Sequence, residues 1–289
     1  MTGILVVNKP MDYTSHDVIA ILKGITKEKK IGHTGTLDPN ATGVLPVCFG
    51  KATKLIEYLE TSTKSYACKM RLGLKSDTDD IWGNVEEIGI TNFPSQEETE
   101  KVLKSFLGDI EQIPPMYSAV SVNGRRLYSY ARSGETVEVK PRKVHIYNIS
   151  LTGYFPCQNE ISFNITCSRG TYIRTICHDF GEKAGSCAVM TQLCRTSTSG
   201  FDLSDAIDFE EIRKMSKEEV ESHYHSIDKA INTMERLDLE GKEATFFSNG
   251  MTLKQDGTNN YPIAVFIDDE LVGIAKRENN RLKPIKVLK

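Results

Sequence analysis

One acidic side chain, Asp38, stands in the stretch Ile31–Lys54 (IGHTGTLDPNATGVLPVCFGKATK), beside Gly32, Gly35 and Gly43, two prolines and four threonines. Glycine takes backbone angles closed to other residues, and Pro39 keeps the residue before it out of helical geometry. The chain therefore commits its special backbone residues to holding one carboxylate in place. Two readings are open: a reactive group on a rigid loop, or an aspartate that caps a turn, a common use of that residue. Further candidates lie at element ends. Tyr66 opens an alternating segment, and Tyr172 and Arg174 sit where a strand gives way to a helix.

Several other chemistries do not fit. A phosphate loop needs G-x-x-x-x-G-K-[ST], but six residues separate Gly43 from Gly50-Lys51, and Ala52 replaces the hydroxyl. No G-x-G-x-x-G or G-x-S-x-G occurs, and a nucleotide cofactor is disfavoured. Seven cysteines are scattered without a C-x-x-C pair, which fits neither a disulfide framework nor a zinc site. Asp77, Asp79 and Asp80 lack the spacing, central glycine and closing glutamate of a calcium loop, so they read as a turn.

No apolar run approaches the ~20 residues that span a bilayer, and MTGILVVNKP lacks the basic flank and cleavage site of a secretory signal. A cytoplasmic protein with no membrane association is expected. The net charge of −3 weighs against indiscriminate nucleic-acid binding, yet charge is unevenly spread. Pro115–His145 carries +4, Leu271–Lys289 +5 and Asp202–Glu221 −5. Two basic patches on an acidic body can steer a phosphate backbone to one face, or they can simply be solvated.

The elements that must position these groups can be read in order. Ile4–Val7 is a short buried strand; Thr14 or Ser15 caps a helix carrying Val18, Ile21, Leu22 and Ile25. After the glycine-rich loop comes a helix around Lys51–Leu59, then a strand over Ser65–Leu74 with Tyr66, Cys68, Met70, Leu72 and Leu74 on one face. Ser95-x-x-Glu98 is a capping box. Residues 113–144 read as an insertion in which Asn123-Gly124 signals a hairpin, and Arg125, Arg126, Tyr128, Tyr130 and Arg132 suit phosphate contact and base stacking. Ile161–Cys167 and Ala188–Ser199 are strands flanking a helix through Ile173, Ile176 and Phe180. Asp202–Glu221 reads as a solvated helix and linker, and from about Asp238 short strands form a small separate β module with a basic tail.

VVNKP, TSH and GHTGTLDPNATGVLP together resemble the bacterial tRNA pseudouridine synthases of the TruB type. KSYACKMRLGLKSDTDD, PPMYSA and SRGTYIRT continue the match in the same order over nearly the whole chain. The resemblance implies an α+β fold, a mixed β-sheet core flanked by helices with a small C-terminal PUA-like β module. It implies a catalytic domain over 1–237, with the RNA-binding insertion at about 113–144, and an RNA-binding domain over 238–289. The implied activity is isomerisation of the T-loop uridine at position 55 of tRNA, by base flipping, with no cofactor or metal and no obligate protein partner.

Carried over by motif, the catalytic aspartate falls on Asp38, the base-stacking tyrosine on Tyr66, and the Tyr-x-Arg pair on Tyr172 and Arg174. Arg174 would pair with Asp38 and keep it aimed, as a planar bidentate donor does best. His33 would enter the space the base leaves, Leu193 would line the uracil pocket, and Lys9 with Pro10 would buttress the site, Lys9 also counting as a substrate contact. An aspartate with an ordinary pKa of about 3.9 is ionised at neutral pH and needs no partner base to act as a nucleophile. The insertion and basic tail would hold the T-arm and acceptor stem. Alternatives are a non-catalytic tRNA-binding or folding module, a carboxylate-dependent hydrolase, which needs a second carboxylate about 5 Å away, and a guide-RNA-dependent dyskerin-like enzyme.

Overall fold

The computed structural model describes residues 2–59, 63–232 and 234–288. The chain forms two compact units, one of Met1–Pro39, Gly43–Ser62 and Thr198–Lys289, the other of Asn40–Thr42 and Thr63–Ser197.

In the first unit, β1 (Gly3–Lys9) is buried at all but Asn8. Helix α1 (Ser15–Thr26) starts at Thr14, whose hydroxyl accepts from the Asp17 amide while the Asp17 carboxylate accepts from the Thr14 amide, a complete capping box. Strands β2 (Ile31–His33) and β3 (Thr42–Phe49) follow. β3 pairs antiparallel with β1 along its length, Lys9 opposite Gly43, and with β2 on its other edge. Strand pairing thus extends further into the glycine-rich stretch than its composition suggests, and the irregular loop is residues 34–41. Burial of Val44, Leu45, Val47 and Cys48 offsets the cost of a glycine in the strand. A 3₁₀ turn (Gly50–Leu55) then runs into the short α2 (Ile56–Leu59), as expected for that segment.

The second unit contains β4 (Lys64–Leu72), β5 (Leu74–Ser76), β6 (Val85–Glu87), α3 (Gln96–Lys104), β7 (Gly108–Gln112), β8 (Ser121–Val122), β9 (Arg125–Arg126), α4 (Leu127–Arg132), β10 (Arg142–Phe155), β11 (Glu160–Cys167), α5 (Ile173–Lys183) and β12 (Ala188–Thr198). Five of these strands run in the order β12-β4-β11-β10-β7. On β4, Tyr66, Cys68, Met70 and Leu72 are buried in strict alternation, and α5 buries Ile173, Ile176, Cys177 and Phe180. The β8–β9 turn has φ of +50° at Asn123 and +79° at Gly124, the two positive angles that a tight two-residue hairpin requires. Arg125 of the insertion is an internal brace: it bonds Glu135 at 2.9 Å and the Ser129 carbonyl at 2.7 Å, and lies 4.4 Å from the Tyr130 ring centre. Arg126, Tyr128 and Arg132 are exposed.

The remainder of the first unit corrects two expectations. Asp202–Glu221 is not one solvated helix: Ile207–Asp208 pairs in parallel with β1, and the short helices Phe209–Ile212 and Lys217–Ser222 bury Phe209, Ile212 and Val220. Phe209 and Ile212 anchor the first of these helices and Val220 the second. The basic end of the chain is no free tail. It forms strands Glu270–Glu278 and Arg281–Val287 within a five-stranded sheet, and Arg277, Lys283 and Lys286 pair with Glu235, Glu278 and Glu57. Lys289 lies outside the described residues. One core of this sheet gathers around Phe247, Val265 and Leu282; Ala264, Phe266 and Ile274 pack into another with Ile4, Val6 and Val44 of the N-terminal strands. Among the described residues no helix is long and apolar enough to cross a membrane.

Candidate active site

The loop bearing Asp38 is fastened on both sides of that residue. Before it, the buried Ser15 hydroxyl accepts from the Leu37 amide at 2.9 Å and donates to the Leu37 carbonyl at 3.2 Å. After it, the Lys9 ammonium donates to the Pro39 carbonyl at 3.0 Å, and also to the carbonyls of Pro10 at 2.7 Å and Tyr13 at 2.6 Å. Leu37 and Thr34 are buried, whereas Asp38 itself is exposed. An exposed residue on an anchored backbone is accessible to a large substrate and loses little conformational freedom on meeting it.

Lys9 is 0% exposed. Its ammonium is hydrogen-bonded to three carbonyls, an arrangement that suits the buttressing role expected of it. His33 ends β2, where its Nδ1 accepts from the Gly35 amide at 3.3 Å, which leaves the proton on Nε2 in the neutral ring. Gly35 has φ of +144°, a backbone state that L side chains rarely adopt. His16 meets the His33 ring edge-on at 5.5 Å.

In the second unit, Tyr66 is 8% exposed on β4 and its side chain is hydrogen-bonded to Arg195 of the adjacent β12. Arg195 is fully buried; burial pushes its guanidinium below its ordinary value, while the Tyr66 hydrogen bond and charge act the other way. Leu193 lies two residues earlier on β12, half-buried, and its carbonyl accepts from the Thr42 hydroxyl at 3.5 Å. Tyr172 caps the N-terminus of α5, and its peptide is clasped by Gln112, which accepts from its amide at 3.0 Å and donates to its carbonyl at 3.2 Å. Arg174, 6% exposed on the first turn of α5, donates to the carbonyls of Thr78 and Tyr117, each at 3.0 Å, and lies 3.6 Å from the Asp80 carboxylate.

Asp80 is thus more than a turn residue. It keeps the local bonds expected of that loop, from the Thr78 hydroxyl at 2.7 Å and the Trp82 amide at 3.1 Å, and also faces Arg174. Arg195, Gln112 and Asp80 were not foreseen as site residues. Asp80 falls inside the matched run KSYACKMRLGLKSDTDD, and Arg195 lies two residues after Leu193; Gln112 carried no such signal.

His178, Asp179 and Glu182 place possible metal-ligand atoms within 4.8 Å of one another. Ion pairs already account for the imidazole, which faces Asp79 at 3.3 Å and Glu182 at 3.6 Å. The bond to Asp79 raises the His178 pKa, and burial raises that of Asp179. Burial pushes the thiols of Cys48 to about 12 and Cys167 to about 11, the reverse of nucleophilic activation.

Residues 23–173 match the TruB family pseudouridylate synthase N-terminal domain, and 174–237 match the tRNA pseudouridylate synthase B C-terminal domain. The tRNA pseudouridine synthase B of Bacillus cytotoxicus is 40% identical over 299 residues, spanning 100% of this chain and 97% of that protein. That of Clostridium tetani is 38% identical over 294 residues, and the match spans both chains completely. In three dimensions, a chain from the crystal structure of a Cbf5-Nop10-Gar1 complex superposes with a TM-score of 0.78 at 23% identity, over 99% of this chain and 85% of that one, a likeness of fold. With both family domains matched and near-40% identity along its whole length, the chain belongs to the TruB family of pseudouridylate synthases.

Proposed function

We propose that this protein is a tRNA pseudouridine synthase that isomerises the T-loop uridine at position 55, acting in the cytoplasm. The reaction breaks the bond from ribose C1′ to N1, turns the uracil, and joins C1′ to C5. N1 gains a proton as C5 loses one, so the substrate needs no oxidant, no added group and no metal. Asp38 supplies the carboxylate that opens this sequence, either by attack at C1′ or by assisting elimination to a glycal. Tyr66 stacks on the extruded base with its oxygen toward the proton that C5 gives up. Arg174 and Tyr172 keep the charged and aromatic groups aligned, Leu193 covers the apolar edge of the uracil, and His33 fills the gap in the T-loop. Flipping the base costs a few kcal/mol of stacking. Contacts to the T-arm and acceptor stem, from the exposed Arg126, Tyr128 and Arg132 of the insertion and from the PUA-like segment 238–289, offset that cost.

The observation that carries this reading is the doubly fastened loop: Ser15 and Lys9 grip the residues on either side of the exposed Asp38. A non-catalytic RNA-folding module has no use for that arrangement. The test is pseudouridine formation in a T-arm RNA by the wild-type, Asp38→Asn and Asp38→Ala proteins. Both variants should bind RNA normally and make no product; turnover near wild type in either removes Asp38 from the mechanism, and release of free uracil would mark a hydrolase.

A further inference from the structure

We infer that Arg195 is the positioning residue for Tyr66, holding its phenolic oxygen and favouring negative charge on it at the moment C5 is deprotonated. The inference rests on the activity proposed above and adds a group to it. Arg195 is the largest fully buried side chain among the described residues, and the next largest, Lys9, has an evident structural task on three carbonyls. An arginine remains protonated in proteins, so a guanidinium at 0% exposure has given up its hydration, an unfavourable step that needs a compensating partner. A fold that needed only packing at this point would be better served by an apolar side chain.

What the buried charge touches gives the reason. β12 and β4 are neighbours in the sheet, and Arg195 bonds the Tyr66 side chain between them. A guanidinium has donors and no acceptor, so it donates to the phenol oxygen. That oxygen is then fixed by a bond from a rigid strand, and its own proton must point away from the guanidinium. Leu193 and Arg195 are two apart on one strand and share its face, which sets the guanidinium one pleat from the residue assigned to the uracil pocket. In the deprotonation step the Tyr66 hydroxyl releases its own proton to water as its oxygen takes the proton from C5; the C5–H electron pair restores the C5–C6 double bond, the displaced C6–N1 π pair passes to N1, and N1 takes a proton from water. A fixed cation on the far side of the oxygen stabilises the negative charge it carries in this step.

The experiment compares wild type, Arg195→Gln, Arg195→Lys, Tyr66→Phe and the two Arg195 variants combined with Tyr66→Phe. The substrate is a T-arm RNA with hydrogen or deuterium at C5 of the target uridine. Circular dichroism reports folding, filter binding reports affinity and single turnover reports rate. Arg195→Gln should lower the rate about 10- to 100-fold, the worth of one hydrogen bond to a charged group, with affinity within about twofold and a larger deuterium effect. Arg195→Lys should recover part of the loss, and neither change should matter once Tyr66 is Phe. Equal losses in both backgrounds, an unchanged isotope effect, or full activity of Arg195→Gln overturns the inference. If the glutamine variant does not fold, the lysine variant with and without Tyr66→Phe decides on the same criteria. Absence of product from the wild type overturns instead the underlying activity, and is read separately.

Discussion

Replacing Lys9 with Met keeps the length of the buried side chain and removes the ammonium. Three carbonyls, those of Pro10, Tyr13 and Pro39, then face a thioether in place of donors at 2.7, 2.6 and 3.0 Å. Each orphaned buried acceptor costs about 1–3 kcal/mol. Against that sum stands the recovered desolvation of a buried ammonium, itself worth several kcal/mol. The difference is a net loss of about 2–4 kcal/mol, smaller than the three bonds alone would suggest. Its effect should be concentrated on the loop, because Pro39 adjoins Asp38 and its carbonyl is one of the three acceptors. Urea unfolding should show a lower midpoint at an unchanged slope. Single-turnover pseudouridine formation should fall about tenfold or more, since misplacing a reacting group is costly in rate, while T-arm RNA affinity stays close to wild type. A Lys9→Met protein with the wild-type midpoint and rate would refute the claim that this ammonium holds the Asp38 loop.

Ser15→Ala leaves the Leu37 amide and carbonyl without their buried partner; it should cost about 1–3 kcal/mol and lower turnover more than affinity, read by the same two assays. Asp80→Asn removes the carboxylate facing Arg174 at 3.6 Å, with both side chains largely buried. Thermal melting should report a loss of about 2–3 kcal/mol, below the usual cost of breaking a buried pair because the separation is long. Arg174→Lys loses the planar fork that spans the Thr78 and Tyr117 carbonyls; a large loss of rate with a modest loss of RNA affinity is expected, and equal losses would indicate a phosphate-binding role. The raised pKa of His178, caused first by its bond to Asp79, means that the folded state holds this proton more tightly than the unfolded one. Its stabilisation is therefore full below the ordinary histidine value of about 6.5 and is lost as pH rises through the folded value. The stability gap between wild type and His178→Gln should close across that window, and a gap that widens with rising pH would contradict the assignment.

Much of the local structure could be read from the chain because its causes lie within a few residues. Thr14 with Asp17 and Ser95 with Glu98 form their capping boxes, Asn123-Gly124 turns a hairpin, and β4 alternates as its residues dictate. The stretch around Asp38 announced itself by composition, although its strands were taken for loop, since pairing with β1 depends on a segment more than thirty residues earlier. The acidic segment and the basic C-terminal segment were misjudged for a similar reason. Net charge describes a stretch of sequence, but whether its charges are solvated depends on partners elsewhere: Lys286 meets Glu57, and Ile207–Asp208 finds the edge of β1.

What the sequence by itself determined, then, is the family and the capped or alternating elements around Asp38. Tertiary structure alone decided which side chains hold the candidate site residues. Ser15 reaches Leu37, Lys9 reaches Pro39, Arg174 spans 96 positions to Thr78, and Arg195 bonds Tyr66 only because β12 lies beside β4. Periodicity and propensity decay within a turn or a pleat, whereas a buried charge must be matched by whatever the fold places against it, and that is set by the order of strands in the sheet.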